Sequence, residues 1–204
     1  MDLLKMIYND KDLHKKIMHF CDIELYPEFQ KPGDAHGKMV WNIAGMAFGC
    51  DGSGGEYILL NDNSIGINSS EGETGRIAEN MTELFELFLN CSCWMDYLYI
   101  DLYKNDEFLE KYTLKTEFDN ENTFNKNNIN EFTYNQLKEE LLEKLSIEKF
   151  NNIIDLLKRF YKTAIREPQY IYTFTEKDGS KNVSEGCIVN RPLYPHVKKR
   201  MGLE

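Results

Sequence analysis

Basic residues are scarce in this chain: 24 Lys and Arg stand against 34 Asp and Glu, a formal net charge of −10. A surface so biased repels phosphate backbones and anionic membranes, so neither nucleic acid nor a membrane is expected as a partner. Long apolar runs are missing too. The longest apolar region, residues 39–50, falls well short of the ~20 residues a membrane-spanning helix needs. The first residues, Met1-Asp2-Leu3-Leu4-Lys5, carry an acid and only a brief apolar run, unlike a secretory signal. Cysteines are few and odd in number, five, and Cys91-Ser92-Cys93 lacks the two-residue spacing of zinc knuckles and thioredoxin-like sites. Reduced thiols in a cytoplasmic protein are expected. The four histidines are scattered. His14 and His19 have no carboxylate or cysteine at ligand spacing, and His36-Gly37 falls in a loop, so candidate general bases are few.

What is present suffices for a core. Hydrophobic residues make up 42% of the 204 and aromatics 13%, which excludes wholesale disorder. One domain over 1–204 is the default at this length, with a core module at about 39–116 and a helical extension at about 131–204. The acidity is concentrated: residues 51–122 hold 16 Asp/Glu against 4 Lys/Arg, whereas residues 123–204 hold 11 against 14. Such a field steers basic partners inward, although carboxylates also serve solubility alone.

The stretch Ala47-Phe48-Gly49-Cys50-Asp51-Gly52-Ser53-Gly54-Gly55-Glu56-Tyr57-Ile58-Leu59-Leu60 organises the chain. An apolar approach enters an acidic turn, where Gly49, Gly52, Gly54 and Gly55 lift the steric ban on positive φ, and an apolar strand leaves it. After the turn Asn61-Asp62-Asn63-Ser64, Ile65-Gly66-Ile67 reads as a second strand. Residues 68–75 read as a polar loop, and Arg76-Ile77-Ala78-Glu79 leads into a helix. Asn80 with Glu83 makes a capping-box-like start. From there Leu84, Phe85, Leu87, Phe88, Cys91, Trp94, Met95 and Leu98 give an apolar face over about four turns.

Upstream, residues 2–8 and 11–20 predict two short helices, with Asp10 as an N-cap. Pro27, Pro32 and Gly33 break the chain into a loop up to about Lys38, and residues 39–43 fit a strand or the start of a buried helix. Residues 97–103 continue the preceding helix or join an edge strand. Residues 117–131, rich in Asn and charge, read as a loop or linker and the one internal boundary. Thr133 with Gln136 forms a capping box for a helix carrying Leu137, Leu141, Leu142 and Leu145. Ser146 is expected to cap a longer helix through Ile165, stopped by Pro168. Residues 169–175 alternate as a strand, residues 177–180 make a hairpin turn, and residues 183–189 supply the partner strand. Residues 191–204 read as a basic surface tail.

Asp51, Glu56 and Asp62 near the glycine loop invite a calcium or magnesium reading. The run Asp-Gly-Ser-Gly-Gly-Glu, however, offers two carboxylates where a calcium loop needs roughly 6–8 oxygens. As a phosphate cradle the loop lacks the Lys-Ser/Thr ending, and a strand follows where a helix should begin. No Gly-x-Ser-x-Gly elbow occurs. A hairpin turn outweighs each of these readings, so no metal, cofactor or catalytic residue is expected. Basic and aromatic residues coincide only at residues 158–166, where the aromatics suit a core better than a nucleic acid.

The run Phe48 to Leu60, then Ile65-Gly66-Ile67, then Arg76-Ile77-Ala78-Glu79-Asn80-Met81-Thr82-Glu83-Leu84-Phe85-Glu86-Leu87-Phe88-Leu89, resembles the SUKH superfamily. That group includes bacterial immunity proteins and the yeast cell-wall-synthesis regulator. The likeness rests on an apolar-Gly-acid-Gly turn into a strand, a second strand, and an Ala-x-x-Phe/Leu-x-x-Phe/Leu-Leu helix, over about residues 45–90. The chain departs from the pattern at Asp62, one place late, and its segment after residue 123 does not align. The resemblance implies an α+β fold, with a twisted, mainly antiparallel sheet flanked by helices and no catalytic residues. The residues themselves add a helical C-terminal part and a terminal hairpin. The resemblance further implies a protein that neutralises a toxin, often a nuclease, by direct binding; the acidity suits that role, since nuclease domains are commonly basic. From charge and turn position, the expected contacts to a basic protein partner are Asp51, Glu56, Asp62, Glu71, Glu73 and Glu79. A regulatory or scaffold protein of the same fold, and a hydrolase using a metal at the acidic turn, are the alternatives.

Overall fold

The computed structural model describes residues 3–33, 39–127, 132–200 and 202. The loop pair His36-Gly37 lies outside them. In chain order the elements are α1 (Leu3–Asn9), α2 (Lys11–Cys21), β1 (Glu24–Gln30), β2 (Met39–Trp41), β3 (Gly45–Cys50), β4 (Glu56–Leu60), β5 (Ile65–Asn68), β6 (Thr74–Ala78) and α3 (Met81–Asn90). They continue with α4 (Asp106–Asn127), α5 (Tyr134–Leu145), α6 (Ile154–Ala164), β7 (Tyr172–Thr175), β8 (Lys181–Val183) and α7 (Pro195–Arg200), with short 3-10 turns at Trp94–Tyr97 and Ile100–Lys104. The fold is α+β, as expected, with two antiparallel sheets in the orders β1-β3-β4-β5-β6 and β2-β7-β8. Contacts divide the chain into two compact units: Met1–Leu84 with Lys162–Ile188, and Phe85–Tyr161 with Val189–Glu204. The expected core module and helical extension therefore each contribute to both.

In the first unit both sheets are present. Ala47, Ile58 and Leu60 of the large sheet pack with Tyr170, and Trp41 stacks on that tyrosine at 5.0 Å between ring centroids. Burial of such side chains contributes about 1.5–3 kcal/mol each. Asp10 caps α2 as expected, its Oδ1 accepting from the amides of Asp12 and Leu13 at 3.0 Å, and Leu13, Ile17 and Phe20 turn inward. Of the four turn glycines only Gly54 takes a positive φ, 91°. Gly49 serves a different need: a Cβ there would sit 2.7 Å from the Glu24 carbonyl oxygen on β1. Gly49→Ala is therefore expected to pry β1 from β3 and cost about 2 kcal/mol, read as a lower urea midpoint. A loss under about 0.5 kcal/mol would mean that β1 yields freely.

The second unit is helical. Trp94 lies between Phe88 and Phe160, with centroids at 6.4 and 5.9 Å, and Tyr103 stacks on Tyr161 at 4.3 Å. The Thr133–Gln136 capping box starts α5 as expected.

Several expected boundaries move, each for a local reason. Residues 24–30, expected to turn into a loop at Pro27, form an edge strand, where a missing N–H is tolerated. Residues 74–78, read as the end of a loop and a helix lead, form a strand buried at every position, Arg76 included. The apolar face expected over about four turns breaks at Asn90, and residues 97–103 are neither helix continuation nor a strand but 3-10 turns, bridged once at Tyr99 to Arg191.

Within residues 117–131, 117–127 are the last turns of α4, not a linker. Its buried stripe is Leu109, Tyr112, Thr113 and Thr116. Ion pairs at i,i+4 (Glu107–Lys111, Lys115–Asp119) reinforce its outer side. Ser146 ends α5 in a left-handed conformation, φ 53°, instead of starting a helix; α6 begins at Ile154, whose amide is capped by Asn152. The hairpin partner is Lys181–Val183, not residues 183–189. The expected tail carries α7 and a buried Leu193.

Candidate functional site

Strand register sorts the predicted contact residues to opposite ends of the large sheet. Cys50 pairs with Glu56, Glu56 with Asn68, and Asn68 with Thr74, so the turns at 51–55 and 69–73 emerge side by side. Ser53 Oγ and Ser70 Oγ meet at 3.1 Å across them. β1 adds Glu24, opposite Cys50, and Asp22 lies against the first turn, its Oδ1 2.8 Å from where a Cβ on Gly52 would stand. Asp51, Glu56, Glu71 and Glu73 thus share one end, joined by Asp22 and Glu24. Asp62 and Glu79 lie at the other, by the β4–β5 turn and the end of β6.

Asp51 is not a surface contact. It is buried, and its Oδ1 accepts from the Ser53 amide at 2.8 Å, the Ser53 hydroxyl at 2.7 Å and the Gly55 amide at 2.9 Å. The same Asp-x-Ser turn recurs twice. Asp62 Oδ1 holds the Ser64 amide and hydroxyl at 3.1 and 2.5 Å, and Asp178 Oδ1 holds those of Ser180 at 2.9 and 2.7 Å. In each, the carboxylate stands in for a backbone turn acceptor. Glu56 is half-buried, with Oε2 accepting from the Gly33 amide at 2.7 Å. Glu73 is half-buried, whereas Glu71, Asp22 and Glu24 are exposed. The field at this end is felt by Tyr26. Burial pushes its hydroxyl well up, and a hydrogen bond with Cys50 and the charges of Glu56 and Glu24 add to that.

At the opposite end the carboxylates are neutralised. Arg76, 2% exposed, donates to Ser64 Oγ at 3.0 Å, to Asp62 Oδ2 at 2.9 Å and to the Pro168 carbonyl. Arg166 donates to the same Asp62 Oδ2 at 2.9 Å and to Glu79 Oε2 at 2.6 Å, while Glu79 Oε1 accepts from Thr163 at 3.0 Å. Partial burial works against the Asp62 carboxylate, but the hydrogen bonds from Ser64 and Arg76 prevail and hold its pKa at about 2. Two arginines thus offset the carboxylates of Asp62 and Glu79.

Sequence reading therefore found the acidity but missed its partition. Asp22 and Glu24 were hidden by the edge strand that Pro27 concealed. Arg76 was hidden in a strand without alternation. The Asp-x-Ser spacing was the legible sign that Asp51 and Asp62 serve turns. Asp51, Glu56 and Asp62 do not converge, and among the described residues no three His, Cys, Asp or Glu side chains are grouped to hold a metal ion. Nor is any helix among those residues long and apolar enough to cross a membrane.

The geometry defines an α+β protein with two antiparallel sheets and a carboxylate-rich sheet end. Compared with family models, curated proteins and solved structures, the chain matches none.

Proposed function

We propose that the chain is a non-enzymatic binding protein that presents one end of its large sheet to a basic protein. The observation that carries this reading is the gathering of Asp22, Glu24, Glu56, Glu71 and Glu73 at one end, with Arg76 and Arg166 confined to the other. Separated charge of this kind raises the on-rate for a complementary surface. The SUKH resemblance supports a toxin, such as a nuclease, as that partner and makes the protein an immunity protein acting in the cytoplasm.

The test compares wild type with E56Q/E71Q/E73Q as bait for proteins of the producing cell and of its competitors. A basic partner should bind wild type with an affinity that falls at least tenfold in the triple variant and weakens as salt rises. A partner held equally well by both, or indifferent to salt, would reject the sheet end as the contact.

A further inference from the structure

α4 is buried along one side, where Leu109, Tyr112, Thr113 and Thr116 turn inward. At about 100° per residue the opposite side carries Glu107, Lys111, Leu114, Phe118, Glu121 and Asn125 within an arc of about 80°. All are exposed except the half-buried Glu121. Steps of four, three, four, three and four residues separate them, the spacing of a coiled-coil seam. The two central members are large and apolar, yet Leu114 is 75% exposed and Phe118 63%. Single apolar residues scattered over a surface are ordinary; two on adjacent turns of one seam form a patch. Beside Leu114 lies a cavity of about 560 Å³, whose lining includes Phe150 and the mutually attracting Glu117 and Lys138. That flank of the leucine is therefore open.

The seam is complementary to itself. About its midpoint at residue 116, Leu114 mirrors Phe118, Lys111 mirrors Glu121, and Glu107 mirrors Asn125. Turned antiparallel across a two-fold axis, two such helices set Leu114 against the partner's Phe118 twice, and Lys111 against the partner's Glu121 twice. A parallel pairing would oppose lysine to lysine and glutamate to glutamate, so charge selects the direction. Lys111 and Glu121 are ten residues apart, about 15 Å along the helix. A shallow crossing of about 20° keeps both ion pairs within reach at that span. Lys111 already holds Glu107 at 2.7 Å, and its three donors serve a second carboxylate as well. Glu121 Oε1 accepts from Asn135 at 2.6 Å, so Oε2 is the oxygen offered.

We propose that the protein forms a homodimer through α4, with the two copies packed antiparallel about residue 116. The apolar contact supplies the affinity, because solvated ion pairs contribute little; the charges set direction and register. One helix per copy buries less than the roughly 1,200 Å² of a standard interface, so the dimer is weak, with a Kd of about 10–100 µM. The face belongs to the second unit, and the pairing does not depend on the sheet-end function proposed above.

The test is sedimentation velocity of the whole protein over a concentration series. Wild type should pass from monomer to dimer. L114E/F118E, which alters exposed side chains, should weaken association at least tenfold and keep the circular dichroism of wild type. K111E sets glutamate against glutamate at both pairs and E121K sets lysine against lysine, so each alone should also weaken it at least tenfold. An equimolar mixture of these two variants should recover the dimer, since every glutamate then faces a lysine, a gain that a damaged fold would not give. A wild type monomeric up to about 1 mM would overturn the proposal. A folded L114E/F118E that dimerises as wild type does, or a mixture no better than its components, would overturn it too. In a monomeric wild type, loss of a basic protein partner on L114E/F118E substitution would assign the face to that partner instead.

Discussion

Arg76→Met lowers the stability of the protein by about 3 kcal/mol, the loss expected when buried polar groups are left without their donor. Methionine fills much of the same volume, so the loss comes from polar groups. The Ser64 hydroxyl and the Pro168 carbonyl lose their donor, and Asp62 keeps only Arg166. The effect should carry a pH signature. The Asp62 carboxyl sits at about 2 in the folded chain, below its ordinary ~3.9. The group therefore stabilises the fold fully above about pH 4, and that contribution fades as pH falls towards 2. With the Asp62 side chain 41% exposed, solvent screening reduces its share to about 1 kcal/mol. The variant has less of this to lose, so the gap between the two proteins should narrow from pH 7 to pH 3 in urea unfolding. A loss under 1 kcal/mol, or a gap indifferent to pH, would show that Arg76 is a passenger in the sheet.

Much of the fold is legible in the sequence because its signals are local. Asp10 precedes a periodic helix, Thr133 and Gln136 stand at capping-box spacing, and Asn61-Asp62-Asn63-Ser64 separates two apolar runs; all three do what their chemistry dictates. What failed to read was set by partners distant in sequence. β6 is a strand because its neighbours bury it, so Thr74-Gly75-Arg76-Ile77-Ala78 need not alternate. The buried face of α4 contains Thr113 and Thr116, which any hydropathy pattern scores as polar. The acidic site was half legible for the same reason. Composition located the carboxylates, but register decides which of them share an end, and register depends on pairings such as Glu24 with Cys50. Glu117 and Lys138 could not be matched while 117–131 read as a linker. A helix through residue 127 gives Glu117 its place in the cavity wall.

Asn90→Ala should cost about 3 kcal/mol, although the residue looks like an interruption in an apolar helix. Asn90 is 1% exposed at the end of α3. Its Nδ2 donates to the Glu86 carbonyl at 2.9 Å and the Glu148 carbonyl at 3.0 Å, and its Oδ1 accepts from the Phe150 amide at 2.9 Å. One side chain thus satisfies three backbone groups, two of them on the stretch between α5 and α6. Alanine leaves all three without that partner, each at about 1–3 kcal/mol before water or local relaxation offsets part of it. Asn90→Asp separates donor from acceptor. It keeps the acceptor for Phe150 but turns a carboxylate towards two carbonyl oxygens, which raises its pKa in the folded chain. Its penalty should therefore be smaller near pH 4, where the carboxyl carries a proton to donate, and grow as pH rises through that raised pKa. Hydrogen exchange gives the residue-level readout: the Phe150 amide should lose protection in Asn90→Ala and keep most of it in Asn90→Asp. If the amide stays protected in both, the polar clasp does not hold that segment.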